Sequence, residues 1–346
     1  MTQSVNLIAD FASIMNIVFG IIVALLALLV MVVIHEAGHY SMGKLLGFKI
    51  NEFAIGFGKP IYKRKLKSGE QFSIRPFPLG GFCSFEGEDE ENPDPGAFNN
   101  QKPWKRLIVL FAGAFFNFVS AILIISLTYT FYGDTLPIVA SVDETPAGEE
   151  SVFKVGDIFT GVDGKSLSFF NSSIPSVPEG TERTFDVLRK DENGNYYKTS
   201  LTYTVGGYKL SISYGQVRYN FFEAIGKGFL DSFRMVAMIL ESFVGLFTGS
   251  TGVSDLGGPV TMISIMGQSV NMGLGFFMYI VCLLSANLAI FNLLPIPALD
   301  GSRMVFVAIE WIRGKPVNRN VEGYIHLGGL VLLFGFAILI DLIKLF

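Results

Sequence analysis

The chain alternates between long apolar runs and polar tracts. Charged side chains are absent between Asp10 and His35, between Arg106 and Asp134, and from Leu256 to Leu299, and a fourth apolar run extends from about Gly323 to Ile340. Roughly 20 uncharged residues in one run predict a membrane-spanning helix, because a helix satisfies its own backbone inside lipid. The pattern therefore predicts a polytopic α-helical membrane protein with four transmembrane helices. No Lys or Arg precedes the first run and no small-residue cleavage site follows it, so it reads as a retained span rather than a signal peptide.

The polar tracts differ among themselves. Residues 50–85 carry short β-like runs, Phe53–Phe57, Ile61–Lys65 and Gln71–Arg75, separated by Gly and Pro and by a turn at Lys67–Glu70, and read as membrane-associated β-hairpins. Residues 86–101 mix Glu88, Asp89, Glu90, Glu91 and Asp94 with Pro and Asn, a composition that predicts a mobile acidic loop without a core. Residues 135–206 read as a small β-rich domain. Its Val155-Gly156-Asp157-Ile158 and Val162-Asp163-Gly164-Lys165 segments, strand edges around tight turns, resemble the core of a PDZ domain. From Phe221 to Phe247, Glu223, Lys227, Asp231 and Arg234 recur every three or four residues opposite Ile225, Phe229, Phe233, Val236 and Leu240, which predicts an amphipathic helix in the membrane interface rather than a fifth span.

The expected organisation is a first transmembrane helix over 1–49, hairpins and acidic loop over 50–103, and a second transmembrane helix over 104–133. An extracytoplasmic PDZ-like domain follows over 134–210, an interfacial helix and connector over 211–270, and the third and fourth transmembrane helices over 271–346. Basic residues set the orientation. Lys44, Lys49, Lys59, Lys63, Arg64, Lys65, Lys67, Arg75, Lys102, Lys105 and Arg106 follow the first span, and Arg303, Arg313, Lys315 and Arg319 precede the last. Lys and Arg favour the cytoplasmic side, which places both termini outside a multi-pass inner-membrane protein.

Composition adds little beyond confirming the class. Half of the 346 residues are hydrophobic and 16% are charged. The net charge of −4 gives no reason to expect nucleic acid. Cys83 and Cys282 fall in different environments and are not expected to pair.

The chemistry lies where the first apolar run ends, at His35-Glu36-Ala37-Gly38-His39. On a helix, residues i and i+4 share a face, so His35 and His39 can bind one zinc ion while Glu36 sits beside it, placed to act as general base. Two of the three histidines in the chain stand here, and ionisable residues at membrane depth point to function. Catalytic zinc takes three protein ligands and keeps a position open. Candidates for the third are Asp300, His326 and the outlying carboxylates of the cytoplasmic loops. Asp300 is preferred because it follows Asn292-Leu293-Leu294-Pro295-Ile296-Pro297-Ala298-Leu299, where two prolines break a helix at membrane depth.

These two segments together resemble the site-2 protease family of intramembrane zinc metalloproteases, in its bacterial RseP-like branch with a single PDZ domain. The similarity extends over Gly56-Phe57-Gly58, Pro78-Leu79-Gly80-Gly81-Phe82, Lys102-Pro103-Trp104-Lys105-Arg106 and Gly257-Gly258-Pro259-Val260. The resemblance implies one Zn2+ per chain on His35, His39 and Asp300, Glu36 as the catalytic base, and Asn292 as a substrate-binding amide. It implies regulated intramembrane proteolysis, in which a peptide bond in a transmembrane segment is hydrolysed near the cytoplasmic side after an upstream site-1 type protease has cut outside. Implied partners are membrane lipid and single-pass transmembrane substrates, such as anti-sigma factors or signal-peptide remnants. The family usually writes Gly-Pro ahead of an Asn in the second span, whereas this chain has Gly113-Ala114-Phe115-Phe116-Asn117, so no role passes to Asn117. Two other readings fit part of the pattern: a membrane-anchored zincin of the soluble type, with a cytoplasmic Glu or His as third ligand, and a non-catalytic PDZ membrane scaffold.

Overall fold

The computed structural model describes residues 2–88, 92–143, 151–206, 209–252 and 256–345, with side chains from Ile14 to Lys344. Asp89, Glu90 and Glu91 of the acidic loop lie outside the described residues. The chain divides into two compact units, one made of residues up to Ile124 and from Val236 onward, the other of Ile125–Met235.

The first unit is built on helices. Helix α1, Thr2–Leu45, is unbroken for 44 residues and carries the His-Glu-x-x-His segment near its end. Helix α2 is Pro103–Phe131, α3 is Phe221–Thr248, α4 is Pro259–Asn271, α5 is Leu274–Leu293, α6 is Asp300–Arg313 and α7 is Arg319–Leu345. Among the described residues, four helical stretches are long and apolar enough to cross a membrane: Ile14–Leu45, Pro103–Phe131, Leu274–Leu293 and Arg319–Lys344. Helix α3 is not one of them. The uncharged tract 256–299 holds two helices, α4 and α5, with Gly273 at φ +104° between them.

Small residues let these helices touch. A Cβ on Gly20 would stand 2.7 Å from the Gly267 carbonyl oxygen, and one on Gly38 would stand 2.4 Å from that of Ala112. Such backbone approach is the usual basis of helix contact where lipid offers no hydrophobic drive. Helix α4 is capped from far along the chain, as Asp341 of α7 accepts the backbone N–H groups of Val260 at 2.9 Å and Thr261 at 3.1 Å.

Strands β1 (Ile50–Phe57), β2 (Tyr62–Lys65), β3 (Gln71–Ile74) and β4 (Phe77–Phe85) form one mixed sheet in the order β2-β3-β1-β4. The expected separate hairpins reduce to a single one, β2 with β3, across the turn at 66–70. Strand β1 joins it by running parallel to β3 and pairs antiparallel with β4 on its other side, which leaves β4 at an edge. The acidic stretch also departs from expectation at its end, where Ala97 and Phe98 are buried, Phe98 against Phe48 and Phe85. Averaged polarity hid two apolar residues that anchor a short 3₁₀ turn, Phe98–Asn100.

The second unit is an antiparallel sheet of β5 (Asp134–Val142), β6 (Ile158–Val162), β7 (Lys165–Ser166), β8 (Glu182–Lys190), β9 (Tyr196–Thr204) and β10 (Leu210–Val217), ordered β10-β5-β6-β8-β9 with β7 on β6. Leu136, Val139, Phe153, Phe159 and Val187 form its core. Asp163 and Gly164, both at positive φ, make the two-residue turn between β6 and β7 that the Asp-Gly pair predicts. Where α2 ends and α3 begins, charged groups are packed inside. Asp134 is fully buried, pairs with Lys227 at 3.0 Å and accepts the Phe169 N–H at 2.8 Å, while Tyr129 donates to Asp231 at 2.6 Å.

Candidate active site

The His-Glu-x-x-His segment is helical throughout, so His35 and His39 lie one turn apart on the same face of α1. Both are 7% exposed. Their Nε2 atoms are 3.1 Å apart, and Asp300 Oδ2 lies 3.0 Å from the first and 3.2 Å from the second. Among the described residues these three form the group able to hold a metal ion. The third sequence candidate, His326, stands elsewhere, its Nδ1 on the Ala298 backbone N–H.

Hydrogen bonding prepares the group for a cation. His39 Nδ1 lies 2.8 Å from the Val109 carbonyl oxygen, which can only accept, so the ring proton sits on Nδ1 and the Nε2 lone pair points inward. Asp300 Oδ2 is buried with no hydrogen-bond donor. Two imidazole nitrogens and a carboxylate oxygen converging at this spacing suit a positive ion. Zinc bonds of about 2.0–2.1 Å in a tetrahedron require ligand atoms about 3.3 Å apart, close to the 3.0–3.2 Å spacing here, so these residues fit zinc.

Packing from α2 and α5 fixes the triangle. A Cβ on Gly113 would come within 2.4 Å of His39 Nε2 and 2.7 Å of His35 Cε1, so bare α2 backbone walls the imidazoles. Gly301 allows α6 to begin hard against the end of α5, since a Cβ there would stand 2.3 Å from the Leu294 carbonyl oxygen. Asp300 is the first residue of α6, presented by a tight Pro-Ala turn. In that turn the Leu299 N–H donates to the Ile296 carbonyl at 3.1 Å and Ala298 has φ +77°. Pro at the second position and positive φ at the third describe a type II turn, where Gly is the usual third residue and Ala costs on the order of 1 kcal/mol. Helix α6 is held in place by Arg106–Glu310 at 2.9 Å and by the Arg303–Glu88 pair.

Glu36 lines a cavity of about 340 Å³ together with His39, Asp300, Cys83, Arg303 and Leu110, among others. Its Oε2 accepts the backbone N–H of Cys83 in edge strand β4 at 2.9 Å. Burial, and secondarily the Glu36 carboxylate, push the Cys83 thiol well above the usual range. Asn292, half-buried in the last turn of α5, does not line this cavity.

The structure brings the expected His35, His39 and Asp300 together with Glu36 beside them, and adds supporting groups that sequence reading missed. Val109 and Cys83 act through their backbones, which leaves no side-chain signal. Gly113 did carry one, a glycine in an otherwise apolar helix.

The peptidase family M50 model matches residues 23–336. A Clostridium perfringens protein described as a "putative zinc metalloprotease" is 32% identical over 330 residues, covering 93% of this chain and 97% of its own. Proteins of the same description from Rhizobium meliloti and Clostridium acetobutylicum are 28% and 29% identical, over 88% and 94% of this chain and 90% and 96% of theirs. With a family match over most of the chain and a His-His-Asp group able to hold a metal ion, the chain belongs to peptidase family M50, the site-2 protease family, and is a zinc metalloprotease of the membrane.

Proposed function

We propose that the chain is an intramembrane endopeptidase of regulated proteolysis, cutting the transmembrane segments of single-pass proteins after a site-1 type protease has trimmed them outside. Anti-sigma factors and signal-peptide remnants are the substrate classes the family resemblance suggests. The observation that carries this reading is the meeting of His35 Nε2, His39 Nε2 and Asp300 Oδ2 within 3.0–3.2 Å, with Glu36 on the wall of the adjoining cavity.

In this reading His35, His39 and Asp300 hold one zinc ion per chain. Bound zinc lowers the pKa of a water to about 7 and polarises a carbonyl. Glu36 takes the proton from the attacking water and returns it to the leaving amine. The Cys83 N–H fixes the Glu36 carboxylate on the strand side of the cavity. A helical substrate hides its amides and must unwind before attack. Edge strand β4, paired on one side only, suits strand addition of the unwound segment, which would lay one extended peptide beside Glu36. Asn292 is assigned to the substrate backbone by family resemblance alone. The reading places the site near the cytoplasmic face of the inner membrane, with both termini outside and the β-rich unit outside as a PDZ-like module.

Glu36→Gln is the direct test. It keeps the Cys83 contact through its amide oxygen but cannot take a proton. We expect zinc content unchanged and cleavage of a model transmembrane substrate reduced by at least about a hundredfold; turnover near that of the native chain would overturn the assignment.

A further inference from the structure

We propose that His326 is a positioning residue for the third metal ligand: its Nδ1 holds the Pro297-Ala298 turn in the left-handed conformation that aims Asp300 at His35 and His39. The inference rests on Asp300 being a zinc ligand.

Three observations carry it. Ala298 sits at φ +77°, one of two non-glycine residues at positive φ among those described, and it lies two residues before Asp300. Within a type II turn the N–H of the third residue has no partner inside the turn; here it donates to His326 Nδ1 at 3.0 Å, across from helix α7. The same face of α7 meets the turn again one helical turn further on, where a Cβ on Gly329 would stand 2.2 Å from Pro297 Cβ. Helix α7 therefore grips the turn at two points, with an acceptor at one and bare backbone at the other.

The chemistry requires a specific histidine tautomer. Nδ1 accepts, so the ring proton is on Nε2, which faces Glu322 Oε1 at 4.0 Å. The ring edge also rests against Phe306 of α6, with centroids 5.7 Å apart. An alanine left without this hydrogen bond would gain by relaxing to negative φ, and the Leu299–Asp300 backbone would rotate with it. Asp300 would then leave the triangle whose tolerance is a few tenths of an ångström.

Purified full-length variants test this through the half-time of zinc loss to a chelator and through amide exchange of segment 295–300 in zinc-free protein. His326→Ala should lose zinc about tenfold faster, the loss of one buried hydrogen bond, and the segment should exchange faster. His326→Asn, whose side-chain oxygen stands where Nδ1 stood, should stay within about twofold of native. His326→Phe, which keeps the ring but not the acceptor, should behave like His326→Ala; this comparison holds if the alanine variant does not fold. In an Ala298→Gly background, where positive φ carries no strain, the effect of His326→Ala should shrink to about twofold. Zinc retention in His326→Phe equal to native, or loss in His326→Asn as fast as in His326→Phe, would overturn the proposal. Asp300→Ala separates the two levels: if it keeps zinc, the ligand assignment itself fails, whereas if it loses zinc while the His326 variants do not, only the positioning role falls.

Discussion

At the residue scale the site depends as much on missing atoms as on functional groups. Gly113 is the clearest case, because a methyl group there would overlap His39 Nε2 at 2.4 Å. Neither partner can yield cheaply, since His39 is tied to the Val109 carbonyl and Gly113 is helix backbone. Gly113→Ala should therefore abolish stoichiometric zinc binding while the chain still folds, measurable as zinc per chain beside an unchanged far-ultraviolet helix signal. Full zinc occupancy in that variant would show that α2 does not wall the imidazoles. The histidines stood out in the sequence because ionisable residues at membrane depth are costly, and Asp300 because two prolines break the helix just before it. The Val109 carbonyl and the Cys83 amide did not, since backbone groups look the same in every sequence; only Gly113 left a trace.

At the scale of elements, periodicity read the long helices well and the strands less so. Apolar runs marked α1, α2, α5 and α7, but α4, separated from α5 only by Met272 and Gly273, lay in what read as a connector. The β-like runs of 50–85 were visible, yet β1 pairs with β3, across an intervening strand, and composition carries no information about that partner. Asp341 could not be read as the cap of a helix 80 residues earlier. The charges of the first half of α3 read as a solvated face, whereas Asp231 and Lys227 point into a buried network with Tyr129 and Asp134. Burial raises the Asp134 carboxyl to about 6, against the pull of Lys227. In the unfolded chain the same group loses its proton near 4, so between these values the folded form holds more protons and stability falls as pH rises, levelling above about 6. Hydrogen exchange of β5 and β10, corrected for intrinsic rates, should show this loss from pH 4 to 6, and Asp134→Asn should remove it. An unchanged slope in the variant would assign the dependence to another group.

For the whole molecule, the two units have separate cores, one built from helices with a four-stranded sheet and one from an antiparallel sheet with Phe153, Phe159 and Phe185 at its centre. We propose that the second unit screens substrates by bulk, admitting only chains already trimmed. Removing 135–206 should then let untrimmed substrates be cut at rates approaching those of trimmed ones in reconstituted vesicles. If only trimmed substrates are cut after the deletion, the unit has some other task, such as binding a peptide ligand.

The uninterrupted course of α1 works as a ruler. Asp10 is the last ionisable residue before the apolar run, and His35 follows 25 positions later in the same helix. At 1.5 Å per residue that is about 37 Å, slightly more than the roughly 30 Å of acyl chain in a bilayer. On the proposed reading, with the site near the cytoplasmic face, the hydrolytic water has a short path from the nearby headgroups and need not be carried to mid-membrane. The scissile bond, in turn, should fall near one end of the substrate's own hydrophobic stretch, so that one product keeps almost the full anchor and the other is released with only a few greasy residues.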